Sequence, residues 1–357
     1  MRHLSPRARG LATAMFVTGG ALLGGAPRGS AGAGWVSMLI ASAAGLLVCA
    51  VMGLLGSRAG DREFFAAADG VLGGFGGGAV AAVLGVLALG MMVRDMAVVT
   101  QFIGANMITE TPRWLIAISL AATAAWCASC GRSTVGRWVE LAALVAGVSL
   151  VICLVATVGD FDARAVADGL AFDADGIFGG AVGLFSECAG SVLMLAATVF
   201  PFGGEEKRRA SPLVVGLAIG GGLLSAVMLF NVALLGAETL DIFNFPTYHA
   251  LRISGIGGVL ERMEPLLMIP AVATGIFRVT AELMLIIGAI ERFCPKPEGS
   301  RSSAFVIAAA GVAASLILLP SQVELRWAEG AFAVGYAIAL TAVTLLLGGA
   351  ALLKKRG

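Results

Sequence analysis

The chain has 357 residues, of which 58% are hydrophobic and 13% charged, with a formal net charge of +1. Ordinary soluble domains run at about 45–50% apolar and about 25% charged, so a mean hydropathy of +0.93 marks an integral membrane protein and leaves a soluble enzyme a poor second. The near-neutral balance, with no basic stripe interleaved with aromatics, speaks against a nucleic-acid partner.

The N-terminal MRHLSPRARG reads as a retained basic start rather than a cleaved signal peptide. Crossing about 30 Å of hydrocarbon takes about 20 largely apolar residues. Ten runs meet that need: about 10–27, 34–55, 77–100, 113–130, 138–158, 178–202, 212–235, 264–290, 303–320 and 330–353. The first contains TGGALLGGAP, Thr18 to Pro27, with four glycines and a proline where a helix in lipid has most need of continuity. A break is expected there. The third run holds Arg94 and Asp95 toward its outer end, either lining an outer vestibule or anchoring the helix. GGFGGG at 73–78 has no following Lys-Ser/Thr and no preceding strand, so it is not a phosphate loop.

The fourth run ends at CASC, Cys127 to Cys130, a lone pair that reads as a packed helix end rather than a metal site. The six cysteines are scattered, mostly inside apolar runs, and make no disulfide framework. An acidic connection, 159–177, leads to the sixth run. There GLFSECAGS, Gly183 to Ser191, places Glu187 about ten residues into the membrane. Small residues around it predict a second break, in the position that an inverted repeat pairs with the first run. Discontinuous helices in matching halves point to a binding site. The expected ligand-binding set is Thr18, Gly19, Gly20 and Ala21 of the first run with Phe185, Ser186, Glu187 and Gly190 of the sixth.

After the seventh run, LRISGIGGV at 251–259 is too short and glycine-rich to span, and reads as a surface or re-entrant segment. In the eighth run Arg278 lies near mid-depth, with Glu282 one turn on, so the two can pair along one face. A charge at that depth needs a partner or water. Arg278 is either half of a structural ion pair or a fixed cation that completes the ligand site. The connections alternate in charge. With the N-terminus inside, 16 Lys and Arg fall on cytoplasmic segments and 6 outside, which places both termini in the cytoplasm. No nucleophile–base pair or metal-ligand spacing appears, so neither an enzyme nor a cofactor or metal is expected.

Several motifs in this order resemble the spore germination permease family, the B subunit of germinant receptors within the amino acid–polyamine–organocation superfamily. They are LSPRARG before a glycine-broken first helix, VRD at 93–95 with TETPRWLI at 109–116, FPFGG closing the sixth span, and FPTYHALRISGIGGVLERMEPLLMIP at 245–270 leading into IFRVTAELML. The resemblance implies an all-α fold of ten transmembrane helices, a LeuT-like five-plus-five inverted repeat with helices one and six broken. It implies a small germinant, commonly an amino acid, held between those helices. It also implies an A-type membrane subunit and a C-type lipoprotein subunit as partners, in the spore inner membrane. By position, Thr18, Gly19 and Gly20 match the family's first-helix break, and Arg278 stands where the family usually has a lysine. The sixth run departs from the family, reading SECAGS in place of a proline-phenylalanine-glycine run with an acid following, so Glu187 is not carried over as that acid. The rival reading is an amino acid transporter, proton-coupled or exchanging, since one fold serves both. A purely structural scaffold is the third.

Overall fold

The computed structural model describes residues 5–27, 30–59, 63–170, 174–198, 211–254, 264–294 and 302–353, and these form helices and connections with no strand among them. The FPFGG segment, the basic loop at 207–209 and residues 255–263 lie outside the described residues. The α-helices, in chain order, are α1 Pro6–Ala21, α2 Gly34–Ala59, α3 Phe64–Asn106, α4 Arg113–Ser129, α5 Arg132–Ala156, α6 Ala163–Gly169, α7 Ala174–Thr198, α8 Ser211–Leu235, α9 Ala237–Leu240, α10 Pro246–Ile253, α11 Glu264–Phe293, α12 Ser302–Leu318 and α13 Gln322–Leu353. Among the described residues seven are long and apolar enough to cross a membrane: α2, α3, α5, α7, α8, α11 and α13. The apolar helices α4 and α12 have 17 residues each, and α1 has 16. Each of the ten apolar runs therefore falls on a helix.

Polarity is inverted relative to a soluble protein. Leu47, Val86, Leu141, Ile317 and Leu345 lie exposed on the outside, while Asp95, Gln101, Asn231, Arg278 and Glu282 are buried. Lipid accepts the first group at no cost, and only a polar interior accepts the second.

Small residues let the central helices approach one another. A Cβ at Gly216 of α8 would sit 2.3 Å from the Gly10 carbonyl oxygen of α1, and one at Gly220 would sit 2.6 Å from that of Ala14. Two backbones thus touch directly, a contact that membrane helices use in place of hydrophobic drive. At the core, Phe16 of α1 meets Phe277 of α11 edge-on at 6.1 Å.

The two expected breaks have different fates. At the start of α1, the Ser5 hydroxyl accepts from the Ala8 N–H and Pro6 takes the first helical turn, a standard N-terminal pairing. The helix then runs through Thr18, Gly19 and Gly20 and stops at Ala21. Leu22 to Gly24 form a turn, and Gly25 has φ +73°, a conformation that glycine adopts without strain. α1 thus ends inside the expected stretch, just after its first two glycines; among the described residues the chain continues only as the short turn Ala31–Ala33 before α2, so this is a helix end and not a break between two halves of one span.

The second expectation is corrected. The sequence GLFSECAGS stays helical, as α7 continues to Thr198. The hydroxyls of Ser186 and Ser191 donate back to the carbonyls of Gly183 and Glu187, bonds that small polar residues make within an intact helix. Without a proline to remove a donor, the glycines weaken α7 but do not end it. Another departure lies in α3, where Gly73 (φ +80°, ψ 166°) separates a short leading helix from the long span.

Candidate functional site

A cavity of about 330 Å³ lies where α1 stops, within the usual size range for small-molecule sites. Ala21 at the end of α1 and Gly24 to Pro27 beyond it form one wall, with Phe243 before α10 and Pro246 at its start. Other walls come from Arg94 of α3, Ser186 and Glu187 of α7, Asn231 of α8, and Glu329 and Tyr336 of α13. Asp241 and Gly330, both exposed, stand at the rim.

Behind the cavity the charges close into a ring. Arg94 donates through Nη1 to Glu187 Oε1 at 2.5 Å and lies 3.3 Å from Asp95 Oδ1. On the far side, Arg278 donates through Nε to Asp95 Oδ2 and through Nη2 to Glu187 Oε2 at 3.1 Å. Each carboxylate bridges both guanidinium groups, so two positive and two negative charges cancel. The third Arg278 donor group, Nη1, reaches the Phe16 carbonyl at 2.8 Å, and the guanidinium lies 4.3 Å from the centre of the Phe16 ring. With Arg278 at 1% relative exposure, mutual pairing is what makes the burial of these ions tolerable.

The ring also holds the end of α1. Arg94 Nη2 donates to the Gly20 carbonyl at 3.1 Å and approaches Glu329 Oε1 at 3.4 Å. Two residues further on, Thr247 of α10 donates to the Leu22 carbonyl at 2.8 Å and accepts from the Asn231 amide at 3.0 Å. A carbonyl of the last turn of α1 and that of its capping residue, which have no partner in the helix itself, are thus satisfied from α3 and α10. A Cβ at Gly25 would sit 2.8 Å from Pro246 Cγ, so the two segments meet closely. Most of the 251–259 stretch lies outside the described residues; before it, α10 packs Tyr248 and Leu251 inward, with Phe102 edge-on to Phe245 and Tyr248.

Of the residues expected from the sequence, Ala21, Ser186 and Glu187 line the cavity. Gly20 and Arg278 lie just behind it, joined through the ring. A Cβ on Gly20 would fall 2.2 Å from Glu187 Oε2. Thr18, Gly19, Phe185 and Gly190 are not among the lining residues. The Thr18 hydroxyl bonds back to Ala14, Gly19 faces Thr274 and Arg278, and Gly190 faces Leu340 and Met91. Phe185 packs against the core. The expected Arg278–Glu282 pair is the longest of the ion pairs of that guanidinium, at 4.0 Å; its closer carboxylates come from α3 and α7.

Arg94 does more than anchor its helix, because it lines the cavity and closes the ring. Its depth within an apolar run was the available signal. Glu329, Asn231 and Tyr336 gave none, since Glu329 fell just before the tenth run and the other two look like ordinary helix residues. Residues 9–322 match the model of a permease family described as spore germination protein. No curated protein matches the chain.

Proposed function

The chain belongs to the spore germination permease family, and from that premise we propose that it is the germinant-sensing, permease-like subunit of a spore germination receptor. The observation that carries this reading is the cavity at the end of α1, with Arg94 and Glu187 paired on its wall. The ligand is a small zwitterion of the amino acid kind. Its carboxylate takes the Arg94 guanidinium, a bidentate donor suited to that geometry. Its ammonium takes Glu187 or Glu329, helped by the negative end of the α1 dipole. Binding therefore competes with the Arg94–Glu187 bond and loosens the tie between α3, α7 and the end of α1.

That competition converts occupancy into a change of helix packing. A ligand moves such an equilibrium only by its differential affinity for the two arrangements, and breaking one bond of a closed ring provides the difference. The ten helices are read as a five-plus-five inverted repeat, both termini cytoplasmic, in the spore inner membrane. The cavity then opens to the outer face. An A-type membrane subunit and a C-type lipoprotein subunit read the change.

The test uses the purified protein in liposomes with a panel of labelled amino acids, scoring binding and time-dependent uptake separately. Saturable binding without accumulation, lost in Gly20→Trp, is the expected result. Accumulation driven by a gradient makes the protein a transporter instead, and binding that survives Gly20→Trp removes the cavity from the account.

A further inference from the structure

The buried ring of Arg94, Asp95, Arg278 and Glu187 pairs two guanidinium groups with two carboxylates, with the partly exposed Glu329 at its cavity edge, and one more acid lies against its buried side. Glu282 of α11 has no solvent exposure, and among the described residues no N–H or O–H donor reaches either of its carboxylate oxygens. Its approach to Arg278 Nη2 is 4.0 Å, beyond hydrogen-bond reach. The Arg278 nitrogens are already engaged with Asp95, Glu187 and the Phe16 carbonyl. The charged groups that face Glu282 are Arg278 on its own helix, Asp95 on α3 and Glu187 on α7, with the Tyr336 hydroxyl on α13.

Counting charges decides the state of Glu282. An ionised Glu282 would add a negative charge to a buried ring whose two guanidinium groups and two carboxylates already balance, facing Asp95 and Glu187 with only Arg278, at 4.0 Å and already engaged by other acceptors, to offset them. An uncompensated charge in this setting neutralises rather than persists. Asp95 and Glu187 cannot be the neutral member at equal cost, because each accepts from both guanidinium groups. A protonated Glu282 has one O–H to donate, and the carboxylate within its reach is that of Asp95.

We propose that Glu282 is a proton-binding site, a neutral acid donating to Asp95 directly behind the charge ring. The site is independent of which ligand the cavity takes. Anything that draws the Glu187 charge out of the ring leaves a surplus guanidinium charge, and Glu282 then releases its proton to restore neutrality. The chain thereby acquires a way to exchange one proton as the ring opens.

Infrared spectroscopy of the full chain in liposomes at neutral pH tests this without any ligand, because a protonated buried carboxyl has a carbonyl band distinct from that of carboxylates. The wild type is expected to show such a band, Glu282→Gln to lose it, and Glu110→Gln, at an exposed position, to keep it. Glu187→Gln, which unbalances the ring, is expected to lose it as well. A wild type with no such band overturns the proposal, as does a band that survives Glu282→Gln. If Glu282→Gln does not insert, Glu282→Asp takes its place: a shifted band supports the assignment, and an unshifted one overturns it.

Discussion

The end of α1 and the middle of α7 carry similar sequences and do opposite things. TGGALLGGAP and GLFSECAGS are both rich in glycine and small residues, yet α1 stops and α7 runs through. Glycine lowers the cost of leaving a helix without forcing the exit. What ends α1 is the combination of Gly25 at positive φ with partners for the abandoned carbonyls: Arg94 for Gly20 and Thr247 for Leu22. At α7 the Ser186 and Ser191 hydroxyls bond back to carbonyls of the same helix, and the backbone stays helical through the stretch. A helix breaks where something else is ready to take its hydrogen bonds.

The largest effect should follow from removing the residue that ties the two helices together. Arg278→Ala takes the guanidinium from the Phe16 carbonyl of α1 and from Glu187 of α7, leaving buried carboxylates uncompensated. A loss of about 3–5 kcal/mol is expected, visible as aggregation or a lowered melting temperature in detergent. A wild-type melt would show that the ring is not a structural keystone.

The glycine comparison is sharper. Gly20→Ala would push a methyl to 2.2 Å from Glu187 Oε2, whereas Gly190→Ala meets its nearest neighbour at 3.4 Å. The α1 substitution should cost about 1–3 kcal/mol through overpacking, and the α7 substitution should be neutral or slightly stabilising because alanine favours helix. Equal melting shifts in the two variants would mean that the two helices tolerate a methyl group equally well.

Thr247→Val removes the donor to the Leu22 carbonyl and the acceptor of Asn231 in one step. Leaving buried polar groups without partners costs about 1–3 kcal/mol. Hydrogen exchange should rise locally over the end of α1 and over α10, with α7 unaffected.

The smallest effect concerns pH. His249 of α10 stacks on Phe243 at 4.2 Å, and burial together with Arg252 lowers its pKa below the ordinary value of 6.5. The unfolded chain therefore binds this proton more readily than the folded one. The penalty is absent above the ordinary histidine value and grows as pH falls toward the lower folded value. Mild acidification should loosen α10, read as faster local exchange, and His249→Phe should remove that dependence.

The sequence was explicit about much of this. Ten apolar runs predict ten helices because lipid allows no other way to satisfy a single-chain backbone short of a closed barrel, and each run falls on one. Arg278, Glu187 and Arg94 were conspicuous because charge at depth is expensive. Their mutual pairing was not legible: Arg278 has Glu282 at the helical i+4 spacing, and local spacing favours that pair. The structure gives the close contacts to Asp95 and Glu187, 183 and 91 residues away along the chain. Glu329 was still less visible, since its role depends on where α13 passes Arg94.

By itself, then, the sequence determined that this is an all-helical membrane protein, where its helices fall, and which side chains are too costly to be there by accident. Those are local properties, set by the solvent and by the energy of single residues. Only the tertiary structure decided which charges neutralise one another, which helix ends in a cavity and which acid is left over. These depend on distances between segments remote in the chain, fixed when the helices pack.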